Sequence, residues 1–178
     1  VLAMPNTEPA LDTVERVRAL QGVICTDALA NVYLAGAITR NREGAQLVDV
    51  GALAAAGVRA LSDDGSCVED PAVLTAALRE AAAAGILLMQ HCEDHGLSGR
   101  GVINEGFIAT KLGLRGMPPA AEYTMVERNI EQAAQSGCRV HLTHISCRES
   151  VELIRRAKSR GVRVTADVTP HHLTLTDE

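Results

Sequence analysis

Three side chains that bind divalent metal ions well, Asp64, His91 and His144, each follow a short apolar segment of the sequence. Carboxylate and neutral imidazole are good ligands for Zn²⁺ and related ions. A metal held by such groups can polarise a carbonyl, which is the chemistry of hydrolysis. No local motif such as HExxH links the three residues. From the residues alone, a metal site and a set of unrelated active-site polar groups therefore both stay open.

The segment SDDG at 62–65 also has a simpler interpretation. Asp-Gly is common in turns, so the segment by itself favours a turn over a ligand site. Alternation along a strand places Asp64 on the face of Ala60 and Asp63 on the opposite face. We therefore assign Asp64 to the candidate site and Asp63 to the turn.

The same alternation sorts the histidines that follow the later segments. It places His91 on the face of Met89, and His144 on the face of Leu142, with both rings pointing inward along the sheet. His141 has the opposite parity. We expect it to face the helix layer as a buried or half-buried histidine with a hydrogen-bond partner.

Other reactive residues adjoin these candidates. Cys92 and Cys147 could each supply a thiolate, but no partner base is identifiable, and a catalytic cysteine is disfavoured. The pairs Glu93-Asp94 and His171-His172 have two interpretations, either groups that orient metal ligands or solvated loop residues. The residues do not decide between these two.

Six apolar segments are predicted strands, and helical periodicity separates them at intervals of roughly 25 to 30 residues, with one longer gap. The longer gap contains a predicted helix over 102–112. Continuous apolar runs such as ILLM at 86–89 are typical of a parallel sheet covered on both faces. The predicted strands are 1–4, 31–38, 58–61, 86–89, 139–142 and 162–168.

This order of elements fits an open doubly wound sheet or a (β/α)₈ barrel. The doubly wound sheet should carry a glycine-rich loop after its first strand, but the loop here, MPNTEP at 4–9, has no glycine. A complete barrel needs eight strands. We predict an α/β fold, an incomplete (β/α)₈ TIM barrel with about six parallel strands, as a single partial domain over residues 1–178.

Composition excludes several classes of function. The 178 residues are 47% hydrophobic, which is enough for one core, and the net charge of −5 argues against nucleic-acid binding. No apolar run approaches the roughly 20 residues of a membrane helix, so no membrane partner is expected. Five cysteines without a CxxC spacing indicate reduced thiols in a cytoplasmic protein.

The ordered set of motifs strongly resembles the class I dihydroorotases of the amidohydrolase superfamily, over the whole length of the chain. Each motif alone is weak, and together they are specific. They are MPNT at 4–7, SDDG at 62–65, HCED at 91–94, VINEG at 102–106, HIS at 144–146 and TPHHL at 169–173.

The resemblance implies a barrel with one or two divalent metal ions, usually zinc. It also implies the reversible cyclisation of N-carbamoyl-L-aspartate to L-dihydroorotate in de novo pyrimidine biosynthesis. By motif, Asp64 resembles the carboxylate that bridges the metals. His91 and His144 resemble ligands of the second metal, and Asn6 resembles the asparagine that binds the substrate carboxylate.

Many relatives bridge their metals with a carboxylated lysine. The only lysines here, Lys111 and Lys158, lie in predicted helices, so the aspartate-type site is the coherent interpretation. This disfavours a related cyclic amidohydrolase, such as an allantoinase or hydantoinase. A second alternative is a non-catalytic dihydroorotase-like subunit that scaffolds aspartate carbamoyltransferase, although the retained ligand residues argue against it.

Some family features have no counterpart in this sequence. These are the HxH pair of the first strand, the arginine after it, and the aspartate of the last strand that acts as general acid and base. We therefore assign no catalytic residue here. We expect an internal portion of such an enzyme, inactive alone, whose two exposed sheet edges favour association with itself or a partner.

Overall fold

Eight short strands alternate with eight α-helices in the computed structural model, which describes residues 1–177. The strands are β1 (Leu2–Ala3), β2 (Tyr33–Gly36), β3 (Ala60–Leu61), β4 (Leu87–Gln90), β5 (Ile103–Asn104), β6 (Gly116–Met117), β7 (Val140–Leu142) and β8 (Val164–Ala166). The helices are α1 (Val14–Asp27), α2 (Val50–Ala55), α3 (Pro71–Ala84), α4 (His95–Ser98), α5 (Phe107–Leu112), α6 (Ala120–Ser136), α7 (Arg148–Ser159) and α8 (Pro170–Thr174).

Six of the strands form one parallel sheet in the order β1-β2-β3-β4-β7-β8, and β5 pairs with β6 apart from it. This confirms the predicted α/β fold with six parallel strands flanked by helices, and the sheet does not close into a barrel. Because all six strands are parallel, their carboxyl ends meet at one edge, which is where α/β folds place their chemistry.

The helix α3 shows how the sequence sets the boundaries of these elements. The Asp70 side chain accepts the backbone N–H of Ala72, and Pro71 fits the first turn because its missing N–H needs no partner there. The helix ends at Gly85, which has φ = 70°. Among residues 1–177, no helix combines the length and apolar character needed to cross a membrane.

The sheet has a different apolar layer on each face. Leu34, Leu61, Leu88 and Leu142 pack against the helices in the main core. The opposite face carries a smaller cluster of alternating residues, namely Ala35, Ala60 and Met89, with Leu2, Met4 and Leu87 packed against them. With no tryptophan in the sequence, both layers are built from aliphatic and small side chains.

The predicted facing of His141 is wrong. In the register of β4 and β7, His141 lies opposite Met89, so both belong to the face away from the helices, while Leu142 belongs to the helix-covered face. The alternation does not extend from Leu142 to His144, because the backbone of His144 leaves the strand conformation with φ = 43°. The other part of the prediction is confirmed, since His141 is half-buried and hydrogen-bonded to Thr165 and Asp167.

The predicted helix over 102–112 is correct only in its second half. Its first half is β5, and the helix is confined to Phe107–Leu112. The β5–β6 pair depends on close backbone approach, since a Cβ at Gly116 would lie 2.6 Å from the Cα of Glu105. Glycine therefore allows a pairing that the helical pattern of the segment does not reveal.

Candidate metal centre

Asp64, His91 and His144 meet at the carboxyl edge of the sheet. One ligand atom from each lies within 4.8 Å of the others, and all three residues are partly buried. The Nδ1 atom of His91 is 3.0 Å from the Nε2 atom of His144, with the two rings edge to face. The structure therefore brings together the three residues that the sequence predicted.

His91 is oriented by the carboxylate of Glu93. The Nε2 atom of His91 lies 3.0 Å from Oε2 of Glu93, so Nε2 carries the proton and the lone pair of Nδ1 faces His144. Partial burial acts to raise the pKa of Glu93, but the hydrogen bonds that its carboxylate accepts prevail and lower it. Asp94, in contrast, accepts the Leu97 N–H and begins α4. Of this pair, only Glu93 contacts a candidate ligand.

His144 reaches His91 because its backbone leaves the strand conformation. Its φ is 43°, in the left-handed region, and its N–H donates to the carboxylate of Asp167. The ring of His144 thus points toward His91 because of this turn. The prediction that His144 shares a strand face with Leu142 is wrong. Partial burial acts to raise the pKa of Asp167, whereas hydrogen bonds from the His144 N–H and from His141 outweigh it and lower the pKa.

Thr143, the residue before His144, connects the end of β7 to the neighbouring strand β4 by hydrogen bonds. The backbone N–H and the hydroxyl of Thr143 both donate to the carbonyl of Gln90, at 3.0 and 2.9 Å. Gln90 is the last residue of β4, immediately before His91. These bonds fix the separation of the two strand ends that carry the histidines.

Asp63 likewise connects the end of β3 to the segment after β2 by hydrogen bonds. Its carboxylate is 2% exposed and accepts the N–H groups of Ile38 and Thr39, at 2.8 and 3.1 Å, and the Thr39 hydroxyl. Burial raises the pKa of Asp63. Its carbonyl accepts the N–H of Ser66, which agrees with the predicted turn. Asp63 is thus a structural residue.

Asp64 points the other way and contacts Asn6. The Nδ2 atom of Asn6 donates to Oδ2 of Asp64 at 2.7 Å, and the Arg42 guanidinium donates to the Asp64 carbonyl oxygen. Asn6 was predicted to bind the substrate carboxylate, and the structure places it beside the candidate metal ligands.

A cleft of about 360 Å³ opens beside the two histidines. The polar residues that line it are His91, Glu93, Asn104, Glu122, His144, Ser146 and His172. Of the pair His171-His172, only His172 lines the cleft. The sequence assigned no individual role to Asn104, although the VINEG motif marked its segment.

Glu122 is a site residue that sequence reasoning missed. Its carboxylate accepts the N–H groups of Ser146, at 3.0 and 3.1 Å, and of Cys147, at 3.2 Å, as well as the Ser146 hydroxyl. It thereby holds the loop that follows His144. Glu122 lies in the first turn of α6, more than 20 residues before this loop, and no sequence pattern connects the two.

Neither cysteine near the site is suited to be a nucleophile. Burial raises the pKa of Cys92 to about 12, and its sulfur accepts a hydrogen bond from Asn129 at 3.3 Å. Burial also raises the pKa of Cys147. Because the thiolate is the reactive form, the structure agrees with the sequence in disfavouring cysteine catalysis.

The donor set fits a divalent metal ion. Two imidazoles and one carboxylate suit Zn²⁺ and related ions. Glu93 holds one imidazole in the tautomer that leaves a lone pair free for a ligand bond, which is the common arrangement around metal-binding histidines. Three protein ligands also leave a coordination position open.

Comparison with protein families and curated proteins gives consistent results. A family model described as dihydro-orotase-like matches residues 1–150. Over 178 residues the chain is 49% identical to the dihydroorotase of Elusimicrobium minutum and 47% identical to that of Pelotomaculum thermopropionicum. The match includes 100% of this chain but only 41% and 42% of those relatives, so the chain spans less than half of their length.

Solved structures with the same fold include hydantoinases. The L-hydantoinase (dihydropyrimidinase) from Arthrobacter aurescens superposes with a TM-score of 0.79 at 20% identity, over 98% of this chain and 40% of that one. A D-hydantoinase from a Thermus species gives 0.70 at 20% identity, over 99% and 40%. These barrel enzymes confirm the fold class of the six-stranded sheet.

Proposed function

The chain belongs to the dihydroorotase-like family, and from that premise we propose that the protein is a dihydroorotase. The proposed reaction joins the carbamoyl nitrogen of N-carbamoyl-L-aspartate to its side-chain carboxyl carbon, releasing water and forming L-dihydroorotate, in de novo pyrimidine biosynthesis. It is reversible, and the reverse direction hydrolyses a cyclic amide. The observation that carries the proposal is the convergence of Asp64, His91 and His144 beside Asn6.

In this proposal Asp64, His91 and His144 hold a divalent ion, which we propose to be zinc. When bound there, the ion supplies Lewis acidity at the amide that is made or broken. Glu93 keeps the proton of His91 on Nε2, so that Nδ1 is free to act as a ligand. If a second ion binds, Asp64 would be the carboxylate shared by the two ions.

Asn6 is the proposed substrate-binding residue. A side-chain amide has two N–H donors, and one of them already contacts Asp64 at 2.7 Å. Within residues 1–177 the second donor has no partner, and we propose that it binds the substrate carboxylate. Asn6 would then fix the distance between that carboxylate and the candidate metal ligands.

The experiment that tests this function measures binding by the chain's own candidate residues, because the chain spans less than half the length of the matched dihydroorotases. Calorimetric titration with Zn²⁺ should show binding that is lost in His144→Gln. The zinc-loaded chain should bind L-dihydroorotate, and Asn6→Ala should weaken that binding. A chain that binds no zinc, or that binds hydantoin in preference to dihydroorotate, would contradict the proposal.

We further propose a cytoplasmic protein with a small-molecule substrate. The support for the compartment is that the five cysteines are free thiols, as reducing conditions require. For association with aspartate carbamoyltransferase or with a second copy of the chain, the support is that β1 and β8 are the edge strands of the sheet.

A further inference from the structure

We propose that Asp167 is a positioning residue that fixes the direction of the His144 ring for metal binding. This inference rests on the proposed function, because it concerns the same candidate ligand. It assigns a role to a residue that lies just after β8 and that no sequence motif singled out.

The first observation is the backbone conformation of His144. Its φ of 43° lies in a region that residues with a Cβ avoid, and such conformations persist only where the surroundings enforce them. The Oδ1 atom of Asp167 accepts the N–H of this same residue. The carboxylate therefore acts directly on the peptide unit whose rotation turns the imidazole toward His91.

The second observation is that Asp167 is itself held in place. Its Oδ2 atom lies 3.2 Å from Nε2 of His141, whose Nδ1 atom lies 2.8 Å from the hydroxyl of Thr165. The Asp167 side chain is 56% exposed, so without this contact it would be free to sample other rotamers. The His141 side chain is 17% exposed and supplies a fixed partner on the face of the sheet away from the helices.

The third observation is that Asp167 acts through His144 and not as a ligand. Within residues 1–177, the group of ligand atoms that converge contains Asp64, His91 and His144 without Asp167. Nor does Asp167 line the cleft beside them. The backbone of Asp167 also makes hydrogen bonds with the backbone of Ile145 and of Leu142. The experiment must therefore separate the contribution of the carboxylate from that of these backbone hydrogen bonds.

The test compares Co²⁺ binding, followed by its visible absorption, in the 178-residue chain and three variants. Asp167→Ala removes both contacts, whereas Asp167→Asn keeps an oxygen that can accept the His144 N–H. Glu152→Ala is the matched control, because it removes an exposed carboxylate of α7 whose partner is Arg155. We expect Asp167→Ala to weaken Co²⁺ binding by about 10- to 100-fold and to change the absorption spectrum, with a smaller loss in Asp167→Asn. The control should stay within about twofold of the unsubstituted chain.

Two results would overturn the inference and leave the proposed function intact. One is a folded Asp167→Ala variant that binds Co²⁺ as tightly as the unsubstituted chain. The other is measured on the unsubstituted chain. There the backbone amide of His144 should be protected from hydrogen exchange, and exchange at the rate of an unstructured peptide would show that Asp167 does not hold this amide. This second measurement decides the matter if Asp167→Ala does not fold.

Failure of the proposed metal site has a different signature. If the unsubstituted chain binds no Co²⁺, the metal part of the proposed function is wrong. The positioning role is then judged from the imidazole NMR signals of metal-free protein. Asp167→Ala should shift the His144 ring signals and those of His91 beside it. Unchanged signals would overturn the inference as well.

Discussion

The Nδ1 atom of His91 lies 3.0 Å from the Nε2 atom of His144, although 53 positions of sequence separate the two residues. Two imidazole nitrogens at this distance share a single hydrogen or a common cation. Because Nε2 of His91 already contacts Glu93, the nitrogen that faces His144 is the one available as a ligand. This contact is the geometric basis of the proposed metal site.

Removing either ring should abolish tight metal binding. In His91→Gln we expect the affinity for Zn²⁺ to fall by at least about 100-fold, because a lost ligand costs more than a lost partner of a ligand. Competition with a chromophoric chelator measures the change. His171→Gln, an exposed histidine outside the cleft, is the control. Equal losses in the two variants would show that the site does not depend on His91.

The adjacent aspartates should differ in their contribution to stability. Asp63→Ala leaves the buried N–H groups of Ile38 and Thr39 without an acceptor, so the free energy of unfolding should fall by at least about 2 kcal/mol. Asp64→Ala removes a side chain with no such buried donors and should cost less. Urea unfolding in the presence of a chelator measures both, and a larger loss for Asp64→Ala would contradict the assignment.

The pair β5–β6 should be sensitive to a single methyl group. Gly116→Ala would place a Cβ 2.6 Å from the Cα of Glu105, so we expect a loss of about 1–3 kcal/mol in stability. Gly22→Ala is the matched control, since a Cβ there meets nothing within 4 Å and lies within α1. Alanine is the better helix former, and Gly22→Ala should raise stability by up to about 1 kcal/mol. Thermal unfolding compares the two, and equal midpoints would refute the packing argument.

The thiols should react at very different rates. Cys25 is exposed on α1, whereas Cys92 is 6% exposed and its pKa is raised to about 12 by burial. At pH 8 roughly one Cys92 thiol in ten thousand is ionised, and the ionised form is the one that reacts. Labelling with a disulfide reagent should show a fast phase that disappears in Cys25→Ser and persists in Cys92→Ser. A fast phase lost in Cys92→Ser would mean that this thiol is accessible.

The sequence predicted those features that depend on local pattern and on the geometry of parallel strands. Apolar runs marked the six strands of the sheet, and polar residues at their ends had to meet because parallel strands share one carboxyl edge. Asp64 and His91 followed from this together with strand alternation. The positions of these two candidate ligands were therefore predictable without knowledge of any tertiary contact.

Other features depend on contacts that a linear pattern does not contain. The predicted strand face of His141 was wrong, and so was the predicted reason for the direction of the His144 ring. Both predictions failed because a left-handed φ at His144 breaks the alternation of the strand. Glu122 reaches the same loop from α6 through tertiary packing alone. Pairing of β5 with β6 requires glycines where the two backbones come close together. The helical periodicity of the segment does not indicate this close contact.

At two strand ends, one residue fastens the strand and the next faces the site. Asp63 ties β3 to the segment after β2, and Asp64 follows it, while Thr143 ties β7 to β4, and His144 follows it. At these two strand ends, the sheet thus holds each candidate ligand through the residue before it, in addition to the contacts that Asp167 and Glu122 make at and after His144. The placement of each of these candidate ligands is therefore coupled to the stability of the strand that precedes it.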